Sequence, residues 1–364
     1  MNEYIISPYI FISDCNQLIN VADGNMLENE SKLYELLQFC STEKKEVDVL
    51  DRFSPEIFNH AKKNGLIIKK DEKPWINNPY MVEIETTNYC NYKCIYCPVS
   101  QSPQKPHKVM SKIDFQRAIS EVIDINASYL TLNFYNEPTL DPLFCERFEI
   151  ISNTDLNCIL HTNASCLNNE KLKILEYYKK NLYYIRINFP SLDPDEFSRI
   201  TGNKLKPAII DNINAIVDSG INTEIVVVGT QNEIQRNMPN IKKQFKCTVK
   251  GQRPNDRAGL LNNYYNENAN ISSRYCGCRN ILDAVNITVD SDVLLCSFDY
   301  LRKFTVGNIK NEKLEDILHG KKAELIREIV FGVREGNYLC KTCSLMNYNM
   351  RNGRYIHLKR RFIS

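Results

Sequence analysis

Three cysteines, Cys90, Cys94 and Cys97, stand at C-x3-C-x2-C spacing in the stretch Cys90-Asn-Tyr-Lys-Cys94-Ile-Tyr-Cys97-Pro98. Thiolates on so short a loop can ligate three corners of a four-iron cluster and leave its fourth iron open. A structural zinc site takes four closed ligands, and His107, in a Pro/Lys-rich loop downstream, is the residue that could complete one. Four more cysteines could fully ligate a second cluster or a zinc ion: Cys278, Cys296, and the C-x2-C pair Cys340 and Cys343. Cys276 is an alternative ligand to Cys278. Cys15, Cys40, Cys145, Cys158, Cys166 and Cys247 are scattered among apolar neighbours and read as core filling.

The chain has 14 cysteines in 364 residues, and Met1 to Phe11 has neither a basic nor an apolar signal region. A cytoplasmic, reducing location is therefore expected, which favours metal ligation over a disulfide framework. A net charge of +2 gives no reason to expect nucleic acid or a membrane surface as a partner. No apolar run reaches the roughly 18 residues of a membrane span.

The elements that must position the first loop follow from the hydrophobic pattern. Strand-like runs at Met81–Thr86, Tyr129–Tyr135, Asn157–Thr162, Tyr183–Phe189, Thr223–Gly229 and Cys247–Lys250 alternate with helical stretches. Ser111 with Asp114 caps the helix of Phe115 to Ile125, and Pro207 and Gly220 bracket Ala208–Asp218. Six such repeats predict a parallel sheet rolled into an open or partial barrel, with chemistry at the C-terminal strand ends.

Before the barrel, residues 1–75 read as a small α/β unit. It has a hairpin of Tyr4–Ile12 and Gln17–Val21, helices at Glu30–Phe39 and Pro55–Lys63, and a strand or wing at Leu66–Ile68. Lys70 to Pro79 reads as a linker. After the barrel come a hairpin of Val285–Val289 and Val293–Cys296, a helix over Leu314–Ile329, and a basic tail. The expected division is 1–75, 80–254, 255–350 and the tail 351–364.

With its spacing and with Tyr96 before the last cysteine, the first loop resembles the signature of the radical S-adenosylmethionine (SAM) superfamily. The resemblance implies a partial (β/α)6 TIM-like barrel, in agreement with the strand count. It also implies a [4Fe–4S] cluster whose open iron chelates SAM, and an electron donor such as flavodoxin or ferredoxin. SAM would be cleaved to methionine and a 5′-deoxyadenosyl radical that abstracts a substrate hydrogen.

Asn133-Phe134-Tyr135-Asn136-Glu137-Pro138 resembles the family's Gly-Gly-Glu-Pro motif, with Tyr135 and Asn136 in place of the two glycines. The resemblance implies that the strand edge at Asn136 would bind the cofactor's ammonium and that Glu137 would supply a carboxylate. By the same resemblance Asn188 would meet the ribose, and the segment containing Val228 would pack the adenine. Asn163 matches a Thr-Asn at the third strand end and reads equally as a turn residue.

Cys278-Arg279, the hairpin ending at Cys296, Gly307-Asn308-Ile309 and Cys340-x2-Cys343 look like a SPASM or twitch domain. A full SPASM domain has seven cysteines for two clusters. This chain lacks the second set, which implies one auxiliary [4Fe–4S] cluster.

An auxiliary cluster beside a substrate favours an oxidative outcome: a crosslink or a dehydrogenation. Epimerisation is the rival, and Cys247 is the cysteine then expected to return the hydrogen. Arg253, with Asp256 and Arg257, follows the sixth strand and is expected to contact substrate. The N-terminal unit resembles a leader-peptide recognition domain, which makes a ribosomally synthesised precursor peptide the expected partner. The alternatives are a sugar or aminocyclitol dehydrogenase or epimerase acting on a small molecule, and a non-catalytic zinc- or leader-binding protein.

Overall fold

The computed structural model describes residues 2–7, 9–12, 17–20, 25–28, 30–72, 78–102, 106–261, 278, 280–330, 339 and 343. Among them, one unit gathers the residues within 1–77, 269–282 and 324–364. A second gathers those within 78–268 and 283–323.

The first unit begins with β1 (Glu3–Ile6), β2 (Ile10–Ile12), β3 (Gln17–Asn20), β4 (Asn25–Glu28) and α1 (Ser31–Phe39). It continues with β5 (Lys44–Lys45), α2 (Glu46–Arg52), α3 (Pro55–Lys63) and β6 (Ile67–Lys69). The strand expected over Tyr4–Ile12 is divided. β1 joins an antiparallel sheet in the order β5-β1-β6, while β2 forms the expected hairpin with β3 and β4 extends it. The division falls at Ser7, whose N–H donates to the Leu66 carbonyl and whose own carbonyl accepts from Ile10. Leu33, Leu36 and Leu37 bury one face of α1, and Tyr4 meets Phe58 edge-on at 5.1 Å. Ser54 caps α3, and Gly65 closes it at φ +61°, a conformation glycine adopts without penalty. Cys40 is fully buried in this core, in line with its reading as a packing residue.

The second unit alternates strand and helix. Its first half is β7 (Met81–Ile84), α4 (Lys112–Asp124), β8 (Tyr129–Thr131), α5 (Phe144–Ser152), β9 (Asn157–Thr162) and α6 (Asn169–Tyr177). β10 (Leu182–Asn188), α7 (Pro194–Thr201), α8 (Pro207–Asp218), β11 (Thr223–Val228), α9 (Gln231–Gln244) and β12 (Thr248–Gln252) follow. These six strands are parallel and neighbour one another in chain order, as a partial (β/α)6 barrel requires. After the short turn α10 (Asn280–Asp283), β13 (Ala284–Ile287) pairs parallel to β7, and β14 (Asp292–Leu294) and β15 (Thr305–Asn308) extend the sheet antiparallel. The hairpin of β13 and β14 was expected; its docking on the first barrel strand was not.

The helix expected over Leu314–Ile329 is two, α11 (Leu314–Leu318) and α12 (Lys321–Val330). The break is at His319-Gly320, where an added Cβ on the glycine would stand 3.0 Å from the Asp316 carbonyl. β8 stops at Thr131, short of the expected Tyr135. Beyond it the Asn136 carboxamide takes the place of a neighbouring strand, accepting from the Phe134 N–H (2.8 Å) and donating to the Leu132 carbonyl (3.1 Å).

Register fixes which side chains share a face. Asn286, Glu83 and Thr131 lie in one row across β13, β7 and β8, and Asn188 lies beside Val226 across β10 and β11. No helix among the described residues is long and apolar enough to cross a membrane.

Candidate active site

The cysteine loop leaves the C-terminal end of β7 and is held by backbone from other elements. The N–H groups of Lys93 and Ile95 donate to the carbonyls of Thr201 and Ile200 at the end of α7, both at 2.9 Å. Gly202 ends that helix at φ +68°, and an added Cβ there would stand 3.2 Å from Lys93 Cβ. Glycine thus lets the helix end approach the loop. Asn203 donates to the Asn91 carbonyl at 3.2 Å.

Glu137 ties the ends of β8 and β9 to this loop. Its Oε1 accepts from the Thr139 N–H (3.1 Å), the Thr139 hydroxyl (2.6 Å) and the Thr162 hydroxyl (2.6 Å), while Oε2 accepts from the Asn163 N–H (2.7 Å). Its own N–H donates to the Tyr89 carbonyl, one residue before Cys90. Asn163 then donates through Nδ2 to Asn91 Oδ1 (3.0 Å), inside the cysteine loop. The structure therefore brings Glu137 and Asn163 to the loop as a connected polar frame, and that frame explains why two buried polar side chains are tolerated there.

Tyr96 is buried against Ile200, Val226 and Val228, so Val228 sits under the loop. Asn188 ends β10 on the same face as Val226 and makes no side-chain hydrogen bond among the described residues, which leaves its donor and acceptor available. Arg253 follows β12 and donates to Gln231 Oε1 on α9 (3.2 and 3.3 Å). Cys247 is a correction. It precedes β12, at the N-terminal end of the parallel strands, whereas Cys90, Cys94 and Cys97 follow the C-terminal end of β7. The structure does not bring it to the site.

Burial comes first, and nearby negative groups add to it, in pushing Cys90 well above the ordinary thiol value and Cys94 up to about 12. Loading a metal on these thiols must therefore release protons. Cys90 lines a small open cleft with Glu85, Tyr89, Tyr135, Tyr300 and Arg302. Arg302 braces its rim, pairing with Glu85 (3.0 Å) on the segment after β7 and with Asp290 (3.2 Å) in the β13–β14 turn. Cys296 follows β14, and its sulfur accepts from the Phe298 N–H at 3.4 Å. Cys278 and Cys343 are described in the other unit, and Cys340, Cys276 and the tail lie outside the described residues.

Residues 84–238 match the family model of the radical SAM superfamily, and residues 278–344 match that of SPASM, an iron–sulfur cluster-binding domain. The chain is a radical SAM protein with a SPASM domain. It is 23% identical over 273 residues to the S-adenosyl-L-methionine-dependent 2-deoxy-scyllo-inosamine dehydrogenase of Niallia circulans, covering 72% of this chain and 92% of that one. Among solved structures it resembles Streptococcus suis SuiB bound to precursor peptide SuiA. The TM-score is 0.58 at 16% identity, over 95% of this chain and 94% of SuiB. It also resembles BtrN in complex with AdoMet and 2-DOIA, with a TM-score of 0.51 at 20% identity over 73% and 92% of the two chains.

The donor set fits a radical SAM cluster: three thiols on one loop, none in a disulfide, close enough that their charges are felt by one another. Sequence reasoning passed over Glu85 and Arg302, the ion pair at the cleft. The signal was present as Glu83 and Glu85 alternating with apolar residues in a strand that must be buried. It also passed over Glu83, Asn286 and Ser297, which only the pairing of β13 with β7 brings together.

Proposed function

We propose that this radical SAM enzyme oxidatively modifies a ribosomally synthesised precursor peptide, forming a crosslink or a dehydrogenated residue. The observation that carries the reading is the extent of the fold match. The structure bound to a precursor peptide corresponds to 95% of this chain, whereas the match to the aminocyclitol-type complex stops at 73%. The residues before the barrel are thus accounted for by a peptide-binding relative, and their antiparallel sheets offer strand edges of the kind that receive an extended peptide.

Within this reading Cys90, Cys94 and Cys97 hold the SAM-binding cluster, and Cys296 is a ligand of the auxiliary one. With the first cluster and SAM bound, the chemistry supplied is reductive cleavage to a 5′-deoxyadenosyl radical. The chain's own residues do the positioning. Glu137 and Asn163 fix the loop, Tyr96 and Val228 form an apolar bed, and Asn188 offers hydrogen bonds to the ribose. Epimerisation is disfavoured because Cys247 is remote from this end of the barrel.

The second reading is a small-molecule dehydrogenase, favoured by the 23% identity to the inosamine dehydrogenase. The discriminating experiment is anaerobic incubation with SAM and dithionite, using either a peptide from any short open reading frame found beside the gene or 2-deoxy-scyllo-inosamine. Loss of two hydrogens from the peptide supports the proposal. Oxidation of the inosamine with no change in the peptide replaces it by the second reading.

A further inference from the structure

Tyr135 and Arg257, in the second unit, have polar groups that the fold leaves unused, and Glu83 lies within their field. Tyr135 occupies a position where the family's motif has glycine. It is 6% exposed, packs edge-on against Tyr300 at 4.9 Å, and its buried hydroxyl has no partner among the described residues. Arg257 lies with its guanidinium carbon 5.7 Å from the Tyr135 ring and 5.2 Å from the Phe298 ring. Its buried Nε also lacks a partner, and it forms no ion pair among the described residues. Glu83 accepts from the Ser297 hydroxyl (3.1 Å) and, in the carboxamide orientation that satisfies both groups, from Asn286 Nδ2 (2.6 Å).

These groups are close enough to act on one another. Burial pushes Glu83 up to about 7 against the pull of Ser297 and then of Arg257. Burial likewise raises Tyr135, and its hydroxyl senses Arg257, Cys97, Cys296 and Glu83 in turn. The trio therefore lies near both the first cysteine loop and Cys296.

A half-buried arginine and a half-buried glutamate within each other's field often close into an ion pair, because a charge stripped of part of its water is costly alone. Here they do not close, and two buried donors also stay unused. A few kcal/mol at most is lost at each orphaned donor. A chain would shed that loss unless another molecule supplied the partner.

We infer that Tyr135, Arg257 and Glu83 form a substrate subsite that reads a neutral amide, with the Tyr135 hydroxyl and Arg257 Nε donating to the amide carbonyl and Glu83 accepting from the amide N–H. The charges argue for neutrality. A carboxylate would be drawn to Arg257 but opposed by Glu83, and an ammonium would meet the reverse. A carbonyl oxygen has two lone pairs for two donors, and the trans amide sends its N–H the opposite way, toward an acceptor. The inference rests on the proposed peptide substrate and names the residues that read its backbone.

The test uses the full-length, anaerobically reconstituted protein with SAM and N-acetylglycine N-methylamide as probe, read by saturation-transfer NMR. Acetate and ethylammonium serve as charged comparisons. The amide should bind in preference to both, and Tyr135→Phe and Arg257→Met should each weaken it about tenfold, the worth of a buried hydrogen bond. Tyr135→Phe removes one oxygen and keeps the ring packing, so it stands if Arg257→Met fails to fold. Equal binding by Tyr135→Phe and wild type, tighter binding of acetate, or no binding by a wild-type sample that still forms 5′-deoxyadenosine would each overturn the inference. A wild-type sample forming no 5′-deoxyadenosine in the absence of probe would instead count against the enzyme reading beneath it.

Discussion

The Glu137 carboxylate accepts the backbone N–H of Asn163 at 2.7 Å, joining the end of the second barrel strand to the end of the third. With Thr139 and Thr162 on its other oxygen, Glu137 is a joint of the frame around the cysteine loop. The motif that suggested a cofactor ligand is, in the fold, first a strut.

Replacing that joint should be costly before any chemistry is considered. Glu137→Leu strands the Thr162 hydroxyl and the Thr139 and Asn163 N–H groups, at about 1–3 kcal/mol for each group that stays buried. Urea unfolding should show a loss of several kcal/mol, and Glu137→Gln, which keeps an acceptor oxygen, should lose less. A Glu137→Leu midpoint equal to wild type would remove the structural role.

The two cysteine sets separate by iron content and by cofactor cleavage. Cys90→Ala, Cys94→Ala or Cys97→Ala should each lower reconstituted iron by about four per chain and abolish 5′-deoxyadenosine formation with dithionite. Cys296→Ala should also lose iron yet still cleave SAM. Full cleavage by Cys94→Ala would refute the assignment of the first loop.

Arg147 and Asp141 form an ion pair at 3.1 Å with both side chains 1% exposed, and Arg147 also donates to the carbonyls of Met110 and Ser111. Its guanidinium stacks on Phe115 at 4.6 Å. Arg147→Met keeps volume but leaves Asp141 buried and unpaired, which costs about 3–5 kcal/mol. Melting of the purified chain should fall clearly, and the double change with Asp141→Leu should recover part of the loss.

Glu233 supplies a pH-dependent term. Burial alone would raise its pKa, but the Thr230 N–H at 2.7 Å and Arg199 at 2.5 Å outweigh it and hold the group below its ordinary 4.5. A depressed folded pKa stabilises above the unfolded value, and that stability is lost as pH falls through the folded one. Glu233→Gln should therefore cost about 1 kcal/mol at neutral pH, the usual worth of a cap. The two proteins should converge in acid below 4.5, as denaturant titrations at both pH values would show.

Much of the barrel was legible because short apolar runs alternate with helical stretches, several of which start at clear caps. Ser111 and Pro207 mark helix starts where the sequence placed them. The cysteine spacing was equally plain, since a short loop fixes its own ligands. What was hidden depended on distant partners. Ser7 ends a strand because Leu66 offers a carbonyl, and β13 finds β7 through a pairing no local pattern announces. Cys247 was placed correctly at the start of the sixth strand, and that position itself puts it opposite the C-terminal strand ends where the cysteine loop lies.

The ladder between β7 and β13 also constrains the order in which the molecule can be made. Met81 finds Ala284 only after roughly two hundred further residues have left the ribosome, so one edge of the first barrel strand waits unpaired through most of synthesis. An open edge carrying Val82 and Ile84 invites pairing with another nascent chain. Translation rate and chaperone supply, more than final stability, should then govern how much of this protein is recovered in soluble form.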